Sequence, residues 1–139
     1  MKEIPFRIRK IENEPIEIFP DLVNKDVSEF VVDSGFAYNG GINDCWIGCQ
    51  ADFTFKQGET VVAKLVATCY FEIDPEFVKR EAKDGQLRID KEFIRYISTI
   101  TVGTARGIFH AKTQNTILNQ FVLPPINLMA INMQDMILS

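Results

Sequence analysis

The chain has 139 residues, a formal net charge of -4, 46% apolar residues and 24% charged ones. That length suits a single domain, 1–139, able to bury a core without disulfides or metals, and the balance excludes a disordered chain. The acidic surplus leaves no basic field to draw phosphates, which excludes a general nucleic-acid binder; the densest basic cluster is only Arg7, Arg9 and Lys10.

Met1 to Pro5 lacks the apolar stretch of a signal peptide, and no segment has the apolar length of a membrane span, so a cytoplasmic location is expected. Phe6 and Ile8 alternate with Arg7 and Arg9 as in a half-buried strand, and Ile16 and Ile18 resume it after Pro15. Proline cannot donate to a ladder, so Pro15 predicts an edge strand or a bulge. A second strand is predicted from Ser28 to Tyr38, with Gly40-Gly41 and Asn43-Asp44 as punctuation.

The clearest alternation follows. Cys45, Ile47, Cys49, Ala51, Phe53 and Phe55 share one face, and Lys56-Gln57-Gly58-Glu59 is a hairpin turn. The returning strand sets Val61, Ala63, Leu65, Ala67, Cys69, Phe71 and Ile73 on one face. Its other face, with Val62, Lys64, Val66, Thr68 and Tyr70, is only half polar. Cys45, Cys49 and Cys69 have no CxxC spacing and read as small core hydrophobes rather than metal ligands or redox groups.

Asp74-Pro75 ends that strand, and Glu76 to Asp90 reads as a charged connection with one helical turn. Asp90 is an N-cap for a helix from Lys91, along which Phe93, Ile97, Ile100, Thr104, Ile108 and Ala111 recur at helical spacing. Gly103 and Gly107 are poor helix formers, so packing must hold this helix; four residues apart, they permit close approach of another backbone. An extended stretch through Pro124-Pro125 leads to Asn127, which caps a predicted short helix from Leu128 to about Leu138.

The chemistry-bearing residues are few. His110 stands alone at the helix end, where it can serve the free carbonyls, and Glu12, Glu14 and Glu17 read as edge-strand acids that keep the strand soluble. No nucleotide-binding, zinc-protease or serine-hydrolase motif occurs, so no catalytic residue, cofactor or metal site is assigned. What stands out is apolar surplus: Trp46, Val62, Val66 and Tyr70 emerge on the face opposite the main core set. Such area marks oligomer contacts or binding grooves.

In element order and local motifs the chain resembles the SecB family of export chaperones. The resemblance runs from Phe6-Arg7-Ile8-Arg9-Lys10-Ile11 through the hairpin to Thr104-Ala105-Arg106 and Leu123-Pro124-Pro125-Ile126-Asn127-Leu128. Gly103 stands where the family usually has proline, and Thr104 replaces its tyrosine. The resemblance implies an α+β fold: a four-stranded antiparallel sheet with a long packing helix and a short C-terminal helix. It also implies a homotetramer, a dimer of dimers, that holds unfolded polypeptides without ATP or any cofactor.

On that reading Trp46, Tyr70, Phe121, Leu123, Ile126 and Leu128 are candidates for the client groove, and Gly103 and Gly107 for oligomer packing. The family's acidic surface for the SecA motor falls near Pro15, Phe19 and Lys64, none of them acidic, leaving Glu14 and Glu17 as candidate docking acids. The leading expectation is a chaperone of unfolded clients, with preproteins for export among them. The alternative is a dedicated partner of one client, such as an antitoxin; a small-ligand binder or enzyme on the same scaffold ranks last.

Overall fold

Two long antiparallel strands carry the fold in the computed structural model, which describes residues 3–139. In chain order the sheet strands are β1 (Phe6–Asn13), β2 (Glu17–Ile18), β3 (Val31–Gly41), β4 (Trp46–Gln57) and β5 (Thr60–Ile73). After them come α1 (Pro75–Glu81), β6 (Leu87–Ile89), α2 (Lys91–Lys112) and β7 (Met136–Leu138). The sheet order is β1-β5-β4-β3, all antiparallel, and β2 continues along β5 beside β1. Pro15 is the break between β1 and β2, so the expected edge strand is found there.

The alternation in β4 and β5 places Ile47, Cys49, Ala51, Phe53 and Phe55, with Ala63 through Ile73 at every second residue, against α2. Asp90 caps α2 as expected, its carboxylate accepting the Glu92 N–H at 2.7 Å. Side-chain hydroxyls explain how Ser98, Thr101 and Thr113 tolerate complete burial. Each donates to the carbonyl four residues earlier, at 2.7–2.9 Å. The core has two lobes. One gathers Phe71, Ile73, Phe77, Phe93, Ile94 and Ile97; the other gathers Phe53, Phe55, Val102, Phe109, Leu118 and Phe121. Half-buried Phe36 and Ile126 touch both.

Several predicted elements differ. The second strand runs from Val31 to Gly41, not from Ser28 to Tyr38, and Gly40-Gly41 is paired with Ile47 and Trp46. A Cβ at Gly40 would stand 2.6 Å from both the Trp46 carbonyl and Leu138, so the strand needs glycine there for a close approach. Cys45 lies in the turn before β4, at φ 53°, whereas Cys49 and Cys69 are buried and face each other across β4 and β5. Val62 is buried by the Phe19–Val23 segment instead of emerging on the outer face. The charged connection contains the two-turn α1 and the strand β6.

The predicted C-terminal helix is replaced by one 3-10 turn, Leu128–Ala130, then extended chain and β7, which pairs with β6. Asn127 does cap that turn through the Met129 N–H. The reason lies in spacing: the buried residues Leu128, Met133 and Leu138 recur at intervals no single helix face can collect, and β6 offers them a ladder.

Along α2 the buried stripe is Phe93, Ile94, Ile97, Ser98, Thr101, Val102, Ala105 and Phe109. Of the periodic residues picked from the sequence, Ile100, Thr104 and Ile108 are only half-buried and Ala111 is exposed. They form a second stripe beside Tyr96, Gly103 and Gly107, the last two open enough that an added Cβ meets nothing within 4 Å.

Candidate functional site

The residues that looked chemical in the sequence are dispersed or spoken for. His110 is exposed, and its backbone carbonyl accepts Asn119 Nδ2 at 2.8 Å. Glu12 bonds Lys10 and accepts the Tyr70 hydroxyl at 3.2 Å; the Lys10 ammonium holds its carboxyl below the usual carboxylate range. Glu14 and Glu17 are exposed, and Glu17 stands opposite Lys64 in the β2–β5 register. Among the described residues no group of three or more His, Cys, Asp or Glu could hold a metal, and no helix is long and apolar enough to cross a membrane.

Trp46 and Tyr70 do meet, on the sheet face away from α2, with ring centroids 5.8 Å apart. The Lys10 ammonium lies over the Tyr70 ring, 5.8 Å from its centroid. Gly48 between the two rings makes this arrangement fit. A Cβ there would collide with the Asn39 side-chain oxygen and stand 3.2 Å from the Trp46 ring and 3.3 Å from that of Tyr70. Gly48→Val is therefore expected to lift the indole, at a cost of about 1–2 kcal/mol, and to change Trp46 emission in the native state. Emission identical to wild type would mean the rings do not rest on the glycine.

The Pro-containing segment runs antiparallel to α2 and is held from the helix. Arg106 Nε donates to the Leu123 carbonyl at 2.6 Å and Nη2 to that of Pro124 at 3.1 Å, while Arg95 Nε donates to Leu128 at 3.2 Å. Phe121, Leu123 and Leu128 are buried and Val122 is exposed, leaving Ile126 as the half-open candidate. The six candidates for one groove therefore do not share a surface. Three fill the core, Ile126 bridges its lobes, and Trp46 with Tyr70 lies across the sheet.

The surface that could receive an extended chain lies instead along β3. This 11-residue strand pairs only with β4 among the described residues, so its other edge keeps its backbone donors and acceptors unladdered. Beside it opens a cleft of about 570 Å³, lined by Phe36, Tyr38, Ile94, Ile131, Met133 and Met136 among others. The Tyr38 hydroxyl is hydrogen-bonded to Ser98 Oγ and lies 3.7 Å from Met133 Sδ, and burial pushes its pKa up. Met133 escaped sequence reasoning because Leu128 to Leu138 read as a helix. The signal available was the alternate spacing of Ile131 and Met133.

No protein-family model matches the sequence, and no curated protein matches it by sequence. Among solved structures, the fold is similar to the Mycobacterium tuberculosis Rv1957 SecB-like chaperone, solved in complex with a ChAD peptide from the Rv1956 HigA1 antitoxin. The TM-score is 0.63 over 88% of this chain and 90% of that one. At 12% identity the likeness is one of fold: the α+β, SecB-like architecture expected from the sequence.

Proposed function

We propose that this chain is a SecB-like chaperone, a holdase that binds unfolded polypeptides without ATP. The observation that carries this reading is the open β3 edge beside an apolar cleft, in a fold shared with a SecB-like chaperone that holds a peptide. Backbone pairing to a strand edge retains chains of any sequence, and the cleft rewards apolar side chains that a folded protein has already buried. Ser34, Phe36, Tyr38 and Ile94 form our client seat. Ile126 is an additional contact, and Trp46 with Tyr70 a second patch on the opposite face.

The test is light scattering from an aggregating client. Suppression at near-stoichiometric amounts without nucleotide is expected, together with binding to the unfolded client and none to its folded form. Unchanged scattering with no binding would overturn the reading. That the neighbour's peptide comes from an antitoxin favours a second form of it, in which this chain serves one dedicated partner. A pull-down returning a single stoichiometric protein decides for that form; a broad set of unfolded chains decides for the general one.

The second α2 stripe supports assembly into a homotetramer, a dimer of dimers, with Ile8 and Ile11 exposed on β1 as a further apolar contact. Two substitutions separate chain from assembly. Gly103→Ala has open space in the chain and better helix propensity, so it is expected to stabilise an isolated protomer by about 0.5–1 kcal/mol. Gly103→Leu with Gly107→Leu is expected to keep the fold but lower the native mass, read by light scattering after size exclusion. An unchanged mass would remove the glycines from the interface. Preprotein delivery to SecA in the cytoplasm is the narrower proposal, with Glu14 and Glu17 as docking acids; charge reversal of both, followed by SecA binding, tests it.

A further inference from the structure

The wall of the cleft opposite β3 is made by the last residues of the chain, and its fastening is uneven. Asp135 pins it. One carboxylate oxygen accepts Arg88 Nε at 2.8 Å, with Nη2 of the same guanidinium also bonded, and the other accepts the Lys91 N–H at 2.8 Å. Beyond Asp135, β7 makes a three-residue ladder with β6, buries Leu138, and the Ser139 carbonyl accepts the Ile42 N–H at 3.3 Å. Before it, Ile131 to Gln134 is extended. Among the described residues its backbone bonds are local, from the Ile131 N–H to the Leu128 carbonyl and from the Met133 N–H to the Ile131 carbonyl, and none reaches the open edge of β3.

This stretch thus lies beside an unpaired strand edge without pairing to it, and it presses Met133 against Tyr38. Methionine makes adaptable contacts that can be exchanged for others at little cost. Arg88 is exposed and Asp135 half-buried at the surface, where one charge-assisted contact is a modest fastening.

We propose that Ile131–Ser139 is a displaceable flap over the client seat, with Asp135 as its latch on Arg88 and on the first backbone N–H of α2. The occupant that displaces it is an extended, apolar, unfolded polypeptide adding to β3. Its side chains take the contacts with Tyr38 and Ile94 that Ile131 and Met133 hold in the closed form. The proposal rests on the chaperone reading, and it adds a control step: client affinity is reduced by the fraction of molecules in which the flap is shut.

The probe for the test is reduced, carboxamidomethylated α-lactalbumin, which is permanently unfolded. Amide exchange of the full-length wild-type chain is followed with and without it. The expected result is protection gained across Val31–Tyr38 and lost at Met136–Leu138. Asp135→Asn and Arg88→Met, which weaken the latch from its two sides, are each expected to bind the probe roughly 1.5- to fivefold tighter, the scale of one exposed charge-assisted contact. The double variant should gain little more, because both act on one contact. If the probe binds but Met136–Leu138 keep their protection and neither variant binds more tightly, the flap is overturned and the chaperone reading stands. If the probe does not bind at all, both fall. Should Asp135→Asn fail to fold, Arg88→Met, at an exposed position, and the wild-type exchange experiment decide.

Discussion

Phe109→Ala is expected to cost about 3–5 kcal/mol, a large part of what a domain of this size has. Phe109 stacks on Phe55 with centroids 4.2 Å apart and planes within 7°, and both side chains are wholly buried. Phe55 continues to Phe30 at 6.0 Å, and Phe30 to Phe121 at 4.8 Å. Four rings thereby join α2, β4, the loop before β3 and the Pro-containing segment. Removing the end ring opens a cavity in a place where two layers of regular structure prevent collapse, so the loss should sit at the high end for a core truncation. Urea unfolding measures it: the midpoint falls with an unchanged slope. Phe109→Leu, which keeps most of the volume, should lose far less. Equal losses for the two would show that the ring stack, rather than filled space, holds this lobe.

Arg106→Ala should lower stability by about 1.5–3 kcal/mol, as expected when charge-assisted bonds to carbonyls are lost. The special circumstance is proline. Pro124 and Pro125 bring no N–H, so this stretch cannot tie itself down by donating, and its carbonyls depend on donors from elsewhere. Arg106 supplies two at once, to Leu123 and Pro124. Arg106→Lys should recover less than half the loss, since a single ammonium cannot reproduce the two-pronged geometry. Faster amide exchange at Phe121, Val122 and Leu123 should accompany both variants. Full recovery with lysine would reduce the role of Arg106 to a positive charge.

The Ala105-Arg106 and Leu123 to Leu128 pattern, conspicuous in the sequence, is therefore a fastening: alanine lets the helix seat on the sheet and arginine holds the facing chain. Alternation made β4 and β5 legible because α2 packs on one face of the sheet, and Asp90 was legible because capping is local. The C-terminal segment was not legible. Its structure depends on β6, some fifty residues earlier, and on the carboxylate of Asp135 reaching the start of α2. Nor could helical periodicity choose between the two stripes of α2, since Ile100, Thr104 and Ile108 are as evenly spaced as the residues that fill the core. The open β3 edge was missed for a related reason. An open edge is a property of who fails to pair, and Val31–Gly41 looks the same in sequence whether or not a neighbour lies alongside.

The division of the core into two lobes, bridged by the side chains of Phe36 and Ile126, means that largely separate sets of side chains pack the two ends of the molecule. The lobe around Phe71, Phe93 and Ile97 includes Leu128, Met133 and Leu138, so it holds the chain's last turn and strand; the lobe of stacked rings holds the far end of α2. Loosening of Met133 or Leu138 is therefore expected to fall on the first lobe, while the stacked rings of the second continue to seat α2 on the sheet. Evolution could thus tune the two separately, weakening Met133 or Leu138 to ease opening without drawing on the stability that keeps the chain folded.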